Sequence, residues 1–201
     1  MTTVAIAMLI AFGVLALVVR PAIQLIRTGR TGLIGLRRGV GAVGLIAAVL
    51  FNGGILLGVV SLIHARNGSL ERIDSLDVGV LHAAGIALAA VGGSTLFLAQ
   101  LGMGESWRVG VDEAERTQLV TAGWFSLVRN PIYMSLIAAF AGFALMVPTW
   151  LGFAAVAVAA IGLELQVRAV EEPYLLRTHG DEYRAYASRV GRFLPGVGRL
   201  R

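Results

Sequence analysis

The 201-residue sequence has no cysteine and no lysine. The first absence excludes a disulfide framework, thiolate metal sites and thiol nucleophiles. The second makes all 17 basic residues arginine. Charge of either sign is scarce: 14% of residues carry it while 57% are hydrophobic, and the mean hydropathy is +0.79. A water-soluble domain of this length would have to hide nearly all of its apolar residues, and the apolar runs are too long and uninterrupted for that. Lipid is therefore the expected solvent. A net charge of +5 invites a nucleic-acid reading, but the arginines fall between and after the apolar runs and form no basic face interleaved with aromatics. That distribution fits juxtamembrane segments facing anionic headgroups, so membrane lipids and not nucleic acid are the expected partners.

Several common catalytic signatures are missing too. His64, His82 and His179 are scattered, with no acidic or histidine partner at ligand spacing, so no metal site is expected. Gly102-Met103-Gly104 follows an apolar run and not a strand, so it is no dinucleotide fingerprint. There is neither a G-x-S-x-G elbow nor an H-E-x-x-H helix. No internal repeat of the kind that builds paired-half transporters is present.

What is present is a set of five candidate spans, at roughly 3–19, 40–63, 78–99, 132–147 and 150–165, judged against the roughly 20 residues a helix needs to cross hydrocarbon. The last two are short. Pro148, Thr149 and Trp150 leave room for little more than a tight turn between them, so they read as a helical hairpin, or as a broken hairpin that only partly crosses. The first run lacks a basic leader, and Arg20-Pro21 follows it where a cleavage site would need small residues, so it reads as a span and not a signal peptide. Glycines in the second and third spans, Gly44, Gly53, Gly54, Gly58, Gly92 and Gly93 among them, point to close helix packing.

Orientation follows from arginine counts. The loop from Arg20 to Arg38 holds Arg20, Arg27, Arg30, Arg37 and Arg38, and the tail after Leu165 holds Arg168, Arg177, Arg184, Arg189, Arg192, Arg199 and Arg201. Both should be cytoplasmic. The loop from His64 to Asp77 has only Arg66 and Arg72 beside Glu71, Asp74 and Asp77, which suits the opposite side. The expectation is an all-α polytopic membrane helical bundle of about five transmembrane helices, amino terminus outside, with a C-terminal helical hairpin and a cytoplasmic helical tail. Residues 1–99 form a three-span region and 100–201 a core that gathers most of the polar sequence on the cytoplasmic face. All-arginine usage fits a GC-rich bacterial genome, so the expected place is a bacterial inner membrane.

Two segments could carry chemistry. In the first, Asn130 is a good helix N-cap and Pro131 a good first helical residue, so they start the fourth span with or without any other role. Arg129 stands where free backbone N–H groups already favour an anion, and either anion binding or headgroup snorkelling explains it. In the second, Pro173 should push Glu172 out of the helical region, ending the fifth span near Glu171 and starting a fresh cytoplasmic helix. Glu171 and Glu172 then sit at a joint beside apolar membrane. Glu164 and Gln166 are polar groups near the end of a span. Tyr183 and Tyr186 share a helix face against the membrane surface or the bundle.

The first segment reads QLVTAGWFSLVRNPIY (118–133), the second EEPYLLRTHGDEYRAY (171–186), and the chain closes with Arg192-Phe193-Leu194-Pro195. Together they resemble the isoprenylcysteine carboxyl methyltransferase family and its relatives among the phospholipid methyltransferases. That family pattern is H-x-L-V-x-x-G-x-[YF]-x-x-x-R-[HN]-P-x-Y, then after a helical hairpin E-E-x-x-L-x-x-x-[FH]-G-x-x-Y-x-x-Y and R-x-[IL]-P. The match runs over about half the chain, from Gln100 to Pro195, with order and spacing kept. Gln118 stands where the family often has histidine and Asn130 where the prenylcysteine enzymes have histidine, which points away from prenylcysteine itself.

The resemblance implies an S-adenosylmethionine-dependent methyltransferase acting on a lipophilic small molecule or lipid at the cytoplasmic interface, the acceptor being a prenylcysteine-like carboxylate, a lipid, or a small thiol or amine. By position, Gln100, Gln118, Leu119, Val120, Gly123, Trp124, Arg129, Asn130, Pro131, Tyr133, Glu171, Glu172 and Leu175 would line the cofactor pocket. Arg129 would meet the donor carboxylate, and Glu171 or Glu172 its ammonium or ribose hydroxyls, with Leu119, Val120 and Leu175 against the adenine. Arg129 and Glu172 would be the catalytic pair, Glu172 taking the proton from an amine or hydroxyl acceptor. Two other readings compete: a non-enzymatic transporter or assembly factor, and an NADPH-dependent lipid reductase of similar architecture.

Overall fold

Apolar runs of this length fold as helices because lipid offers no partner to a backbone N–H or C=O. A computed structural model of the protein describes residues 1–32, 41–107 and 118–200. Its elements are α1 (Thr2–Val14), α2 (Arg20–Thr28), α3 (Ala42–Arg66), α4 (Gly79–Gly102), the single turn α5 (Trp124–Leu127), α6 (Pro131–Met146), α7 (Trp150–Gln166) and α8 (Glu172–Arg189). Among the described residues, four continuous stretches, Thr2–Thr28, Ala42–Arg66, Gly79–Gly102 and Trp150–Arg189, are long and apolar enough to cross a membrane. The fourth predicted span, α6, has 16 residues. It rises about 24 Å, short of a hydrocarbon core of roughly 30 Å. Its hairpin with α7 forms as expected. Thr149 caps α7, its Oγ1 accepting the Gly152 N–H at 2.9 Å and pairing with Ser61 Oγ of α3 at 2.7 Å.

Two predicted helix ends are overturned, both at proline. The first span does not stop at Val19: a π-helical turn, Leu15–Val19, carries it into α2 as far as Thr28. Likewise Glu172 keeps helical angles (φ −61°, ψ −45°), and the π-helical turn Val167–Glu171 joins α7 to α8 without a joint. The physical reason is the same in each. A proline lacks an N–H and its ring collides with the carbonyl four residues back. For Pro21 and Pro173 that carbonyl belongs to Leu17 and Ala169, inside the wider π turn, where the ring is accommodated. The break the sequence reading placed at Pro173 lies at Gly180 instead, with φ 53° and ψ −123°, a backbone conformation that glycine alone adopts readily.

The hairpin limbs pack as two tight pairs, α6 on α4 and α7 on α3, through Gly54 and Gly92 of the expected glycines and through Gly142 and Gly162 of the hairpin itself, whereas Gly53, expected to pack closely, faces open space. A Cβ at Gly142 would lie 2.5 Å from Ala89 N, one at Gly92 2.7 Å from Ser135 O, and one at Gly162 2.5 Å from Phe51 N. Backbone meets backbone there, so no side chain can yield. Gly142→Leu should lower the thermal midpoint in detergent by about 2–10 °C. Gly53→Leu, on the same type of helix but with open space around it, should not. Equal behaviour of the two variants would contradict the packing.

At one end of the bundle the 67–78 loop ties the amino terminus to the hairpin tip. Ile73 N–H donates to Pro148 O at 2.8 Å, and Arg72 donates to Thr2 Oγ1 at 2.9 Å and to Asp77 at 3.2 Å. Burial disfavours the charged form of Asp77, but the hydrogen bonds from His82 and Arg72 outweigh it and hold the carboxyl below the usual carboxylate range. A depressed acid adds stability at neutral pH and loses it as pH falls through the lowered value. Asp77→Asn should therefore flatten the acid side of the stability curve below about pH 4, read by thermal unfolding across pH. The other end carries the candidate site.

Candidate active site

Local rules place the start of α6 at Pro131, but the segment before it is shaped by a distant partner, the C-terminal tail. Gly123 (φ 61°) turns the chain into α5, and Val128 bridges to Gly191 in a two-residue strand-like contact. Arg129 N–H then donates to Gly191 O at 2.8 Å and Asn130 N–H to Arg192 O at 3.0 Å. Asn130 is the N-cap of α6 by position, with Pro131 first in the helix. Its side chain does not cap. Its Nδ2 donates instead to Arg192 O at 3.2 Å, so the residue expected to start a helix fastens the tail.

Arg129 is the hub. Its buried guanidinium donates from Nη1 to Ala187 O (3.0 Å) and Val190 O (2.6 Å), and from Nη2 to Gly198 O (3.1 Å) and to Glu172 Oε1. Glu172, also buried, receives Arg192 twice more, at 2.8 Å on Oε1 and 2.9 Å on Oε2. Those hydrogen bonds raise Arg192 above its ordinary value and keep it cationic. Arg192 also lies 3.6 Å from Glu164, so the two guanidinia face carboxylates on both sides. Beside it, Tyr133 OH and Gln166 Nε2 both donate to Glu171 Oε1.

The tyrosines expected at the membrane surface or in the bundle are interior. Tyr183 and Tyr186 lie edge to face, 6.1 Å between centroids, and Tyr186 OH donates to Phe125 O at 2.6 Å. Leu119 and Leu175, read from two distant segments, meet against this pair. Arg129, Asn130, Tyr133, Glu171 and Glu172 are thus brought into one cluster, with Leu119 and Leu175 on its apolar flank and Pro131 buried under it. Gln118, Gly123 and Trp124 are exposed at its edge and Val120 is half-buried.

Gln100 sits apart, in a second cluster at the end of α4. Its backbone O accepts Arg20 Nε at 3.2 Å, and its buried Oε1 has no partner among the described residues. Arg20, expected in a loop, is buried: Nη1 donates to Gln24 Oε1 and Nη2 to Gly104 O, each at 2.9 Å, and the guanidinium lies 4.3 Å over the Trp107 ring. Arg20 and Arg192 are the residues that sequence reasoning missed. The signal for Arg192 was the closing R-x-L-P motif; for Arg20 it was an arginine followed by proline within helical reach of a span.

The residue types suit a small zwitterion with a flat ring. The guanidinia of Arg129 and Arg192 suit a carboxylate, the Glu171 carboxylate suits an ammonium, and in the separate cluster the unpartnered Gln100 Oε1 suits an N–H donor. Buried Arg129 Nε is a further donor without a partner among the described residues.

The model of the phospholipid methyltransferase family matches residues 80–182, from the start of α4 past Glu172 into α8. No curated protein matches the chain.

Proposed function

Because this chain belongs to the phospholipid methyltransferase family, whose members are integral-membrane methyltransferases, we propose that it uses S-adenosylmethionine to methylate a lipophilic acceptor at the cytoplasmic end of the bundle. The supporting observation is the convergence, across 43 residues of sequence, of Arg129 with Glu172, and beside them of Tyr133 with Glu171. When bound, the donor supplies an electrophilic methyl carbon: the acceptor lone pair forms the new bond while the C–S electron pair returns to sulfur, leaving the neutral thioether.

The chain's own residues orient and exclude water, which is most of what such an in-line displacement needs. Arg129 and Arg192 offer the charge that holds a carboxylate, and Glu171 one that holds an ammonium. Arg129 also fixes the tail at Ala187, Val190 and Gly198, and so closes the site on that side. Glu172 already accepts three guanidinium hydrogen bonds, which use most of its lone pairs. Its part is to hold the two arginines at a fixed separation. The proton of an amine or hydroxyl acceptor goes to Glu171 or to water.

Calorimetry of the detergent-solubilised protein with S-adenosylhomocysteine tests the donor, and label transfer from methyl-labelled S-adenosylmethionine to a membrane-lipid extract tests the reaction. Binding together with a labelled lipid is the expected result. Well-folded protein that neither binds the thioether nor labels lipid would overturn the reading.

A further inference from the structure

A groove of about 530 Å³ runs between the two hairpin limbs on the outer surface of the bundle. Met134 and Ile137 of α6 form one wall and Ala160 of α7 the other, and Phe193 and Leu194 of the tail lie over one end. It opens outward between the short apolar helix α6 and the spanning helix α7, on the side that meets lipid. Glu164 is its single charged lining residue. Its side chain is 35% exposed, in the last turn of α7, where the apolar lining gives way to the polar tail.

Glu164 also connects the groove with the site. It pairs with Arg168 one turn away, and it lies 3.6 Å from Arg192, the same guanidinium that doubly binds Glu172. Met134 follows Tyr133, and Phe193 follows Arg192, so both walls of the groove are continuations of the chain that builds the site. The groove is apolar along its length and acidic at the end that meets the cluster.

We infer that this groove holds the hydrocarbon chain of the methyl acceptor, with Glu164 accepting a hydrogen bond from an N–H or O–H of its head group. The inference rests on the methyltransferase reading and adds to it where the acceptor lies. It gives the tail a second task, since Phe193 and Leu194 bound the chain while Arg192 serves the site. Acceptors with long chains gain contacts along Ile137 and Ala160, so chain length is selected by the groove floor.

The test uses full-length protein in detergent and a diazirine-bearing hexadecylamine as probe. Photolysis should label peptides containing Ile137, Ala160 or Leu194. Ala160→Phe, which fills the groove, should reduce both that labelling and methyl transfer to a membrane-lipid extract by roughly tenfold, while S-adenosylhomocysteine affinity stays within about twofold. Leu194→Ala alters an exposed wall without threatening the fold and should weaken labelling in the same direction. Ile26→Ala, 85% exposed on a distant helix, should change nothing. Retained thioether binding with labelling and turnover unaffected by Ala160→Phe and Leu194→Ala would overturn the groove alone. Loss of thioether binding in the wild-type protein would instead overturn the reading on which it rests.

Discussion

Glu172→Ala should release the C-terminal tail and abolish S-adenosylhomocysteine binding together. Removing this carboxylate leaves the buried Arg129 guanidinium without a carboxylate and Arg192 with Glu164 alone, at 3.6 Å. Taking one partner from a buried ion pair costs about 3–5 kcal/mol, a large share of a total stability of about 5–15 kcal/mol. The strain falls on whatever Arg129 holds, which is the tail at Ala187, Val190 and Gly198. Limited proteolysis should therefore cut after Arg189, Arg192 or Arg199 in the variant at rates many times those of the wild type. Glu172→Gln keeps the volume and an acceptor oxygen and should be intermediate. Wild-type protease resistance in Glu172→Ala would show that the carboxylate does not organise the tail.

Much of this architecture could be read from the chain before folding. Apolar runs placed the helices, Pro148-Thr149-Trp150 marked the hairpin turn, and small residues foretold the close α4–α6 and α3–α7 packing. What escaped reading depends on partners distant in sequence. The Asn130 side chain satisfies a local rule for capping, yet its amide goes to Arg192 O, 62 residues on, the same carbonyl that accepts the Asn130 backbone N–H. Pro21 and Pro173 satisfy a local rule for ending helices, yet the chain continues because a π-helical turn, itself invisible in residue pattern, moves the colliding carbonyl away. Arg129 and Glu172 could be singled out from position and motif, but not their shared use of Arg192, nor the carbonyls that Arg129 binds.

Arg20→Ala should detach the end of α4 from the first helix. Arg20 is 1% exposed and ties four groups: the Gln24 side chain, the Gln100 and Gly104 carbonyls, and the Trp107 ring. Hydrogen bonds to a charged group contribute about 1.5–3 kcal/mol each, and a desolvated cation–π contact about 2 kcal/mol. These do not add in full, so the expected loss is about 3–5 kcal/mol. Tryptophan fluorescence can localise it, since Trp107 is 2% exposed while Trp124 and Trp150 are 38% and 78% exposed. In a Trp124→Phe, Trp150→Phe background the emission reports Trp107 alone, and Arg20→Ala should move it to the red. Arg20→Lys keeps the charge but cannot span both carbonyls, so it should restore little of the shift. An unshifted spectrum in Arg20→Ala would mean that Trp107 is held by its other neighbours. With the shift, S-adenosylhomocysteine affinity should fall as well, because the same arginine fixes the backbone of Gln100, whose buried amide oxygen is a proposed contact to the donor.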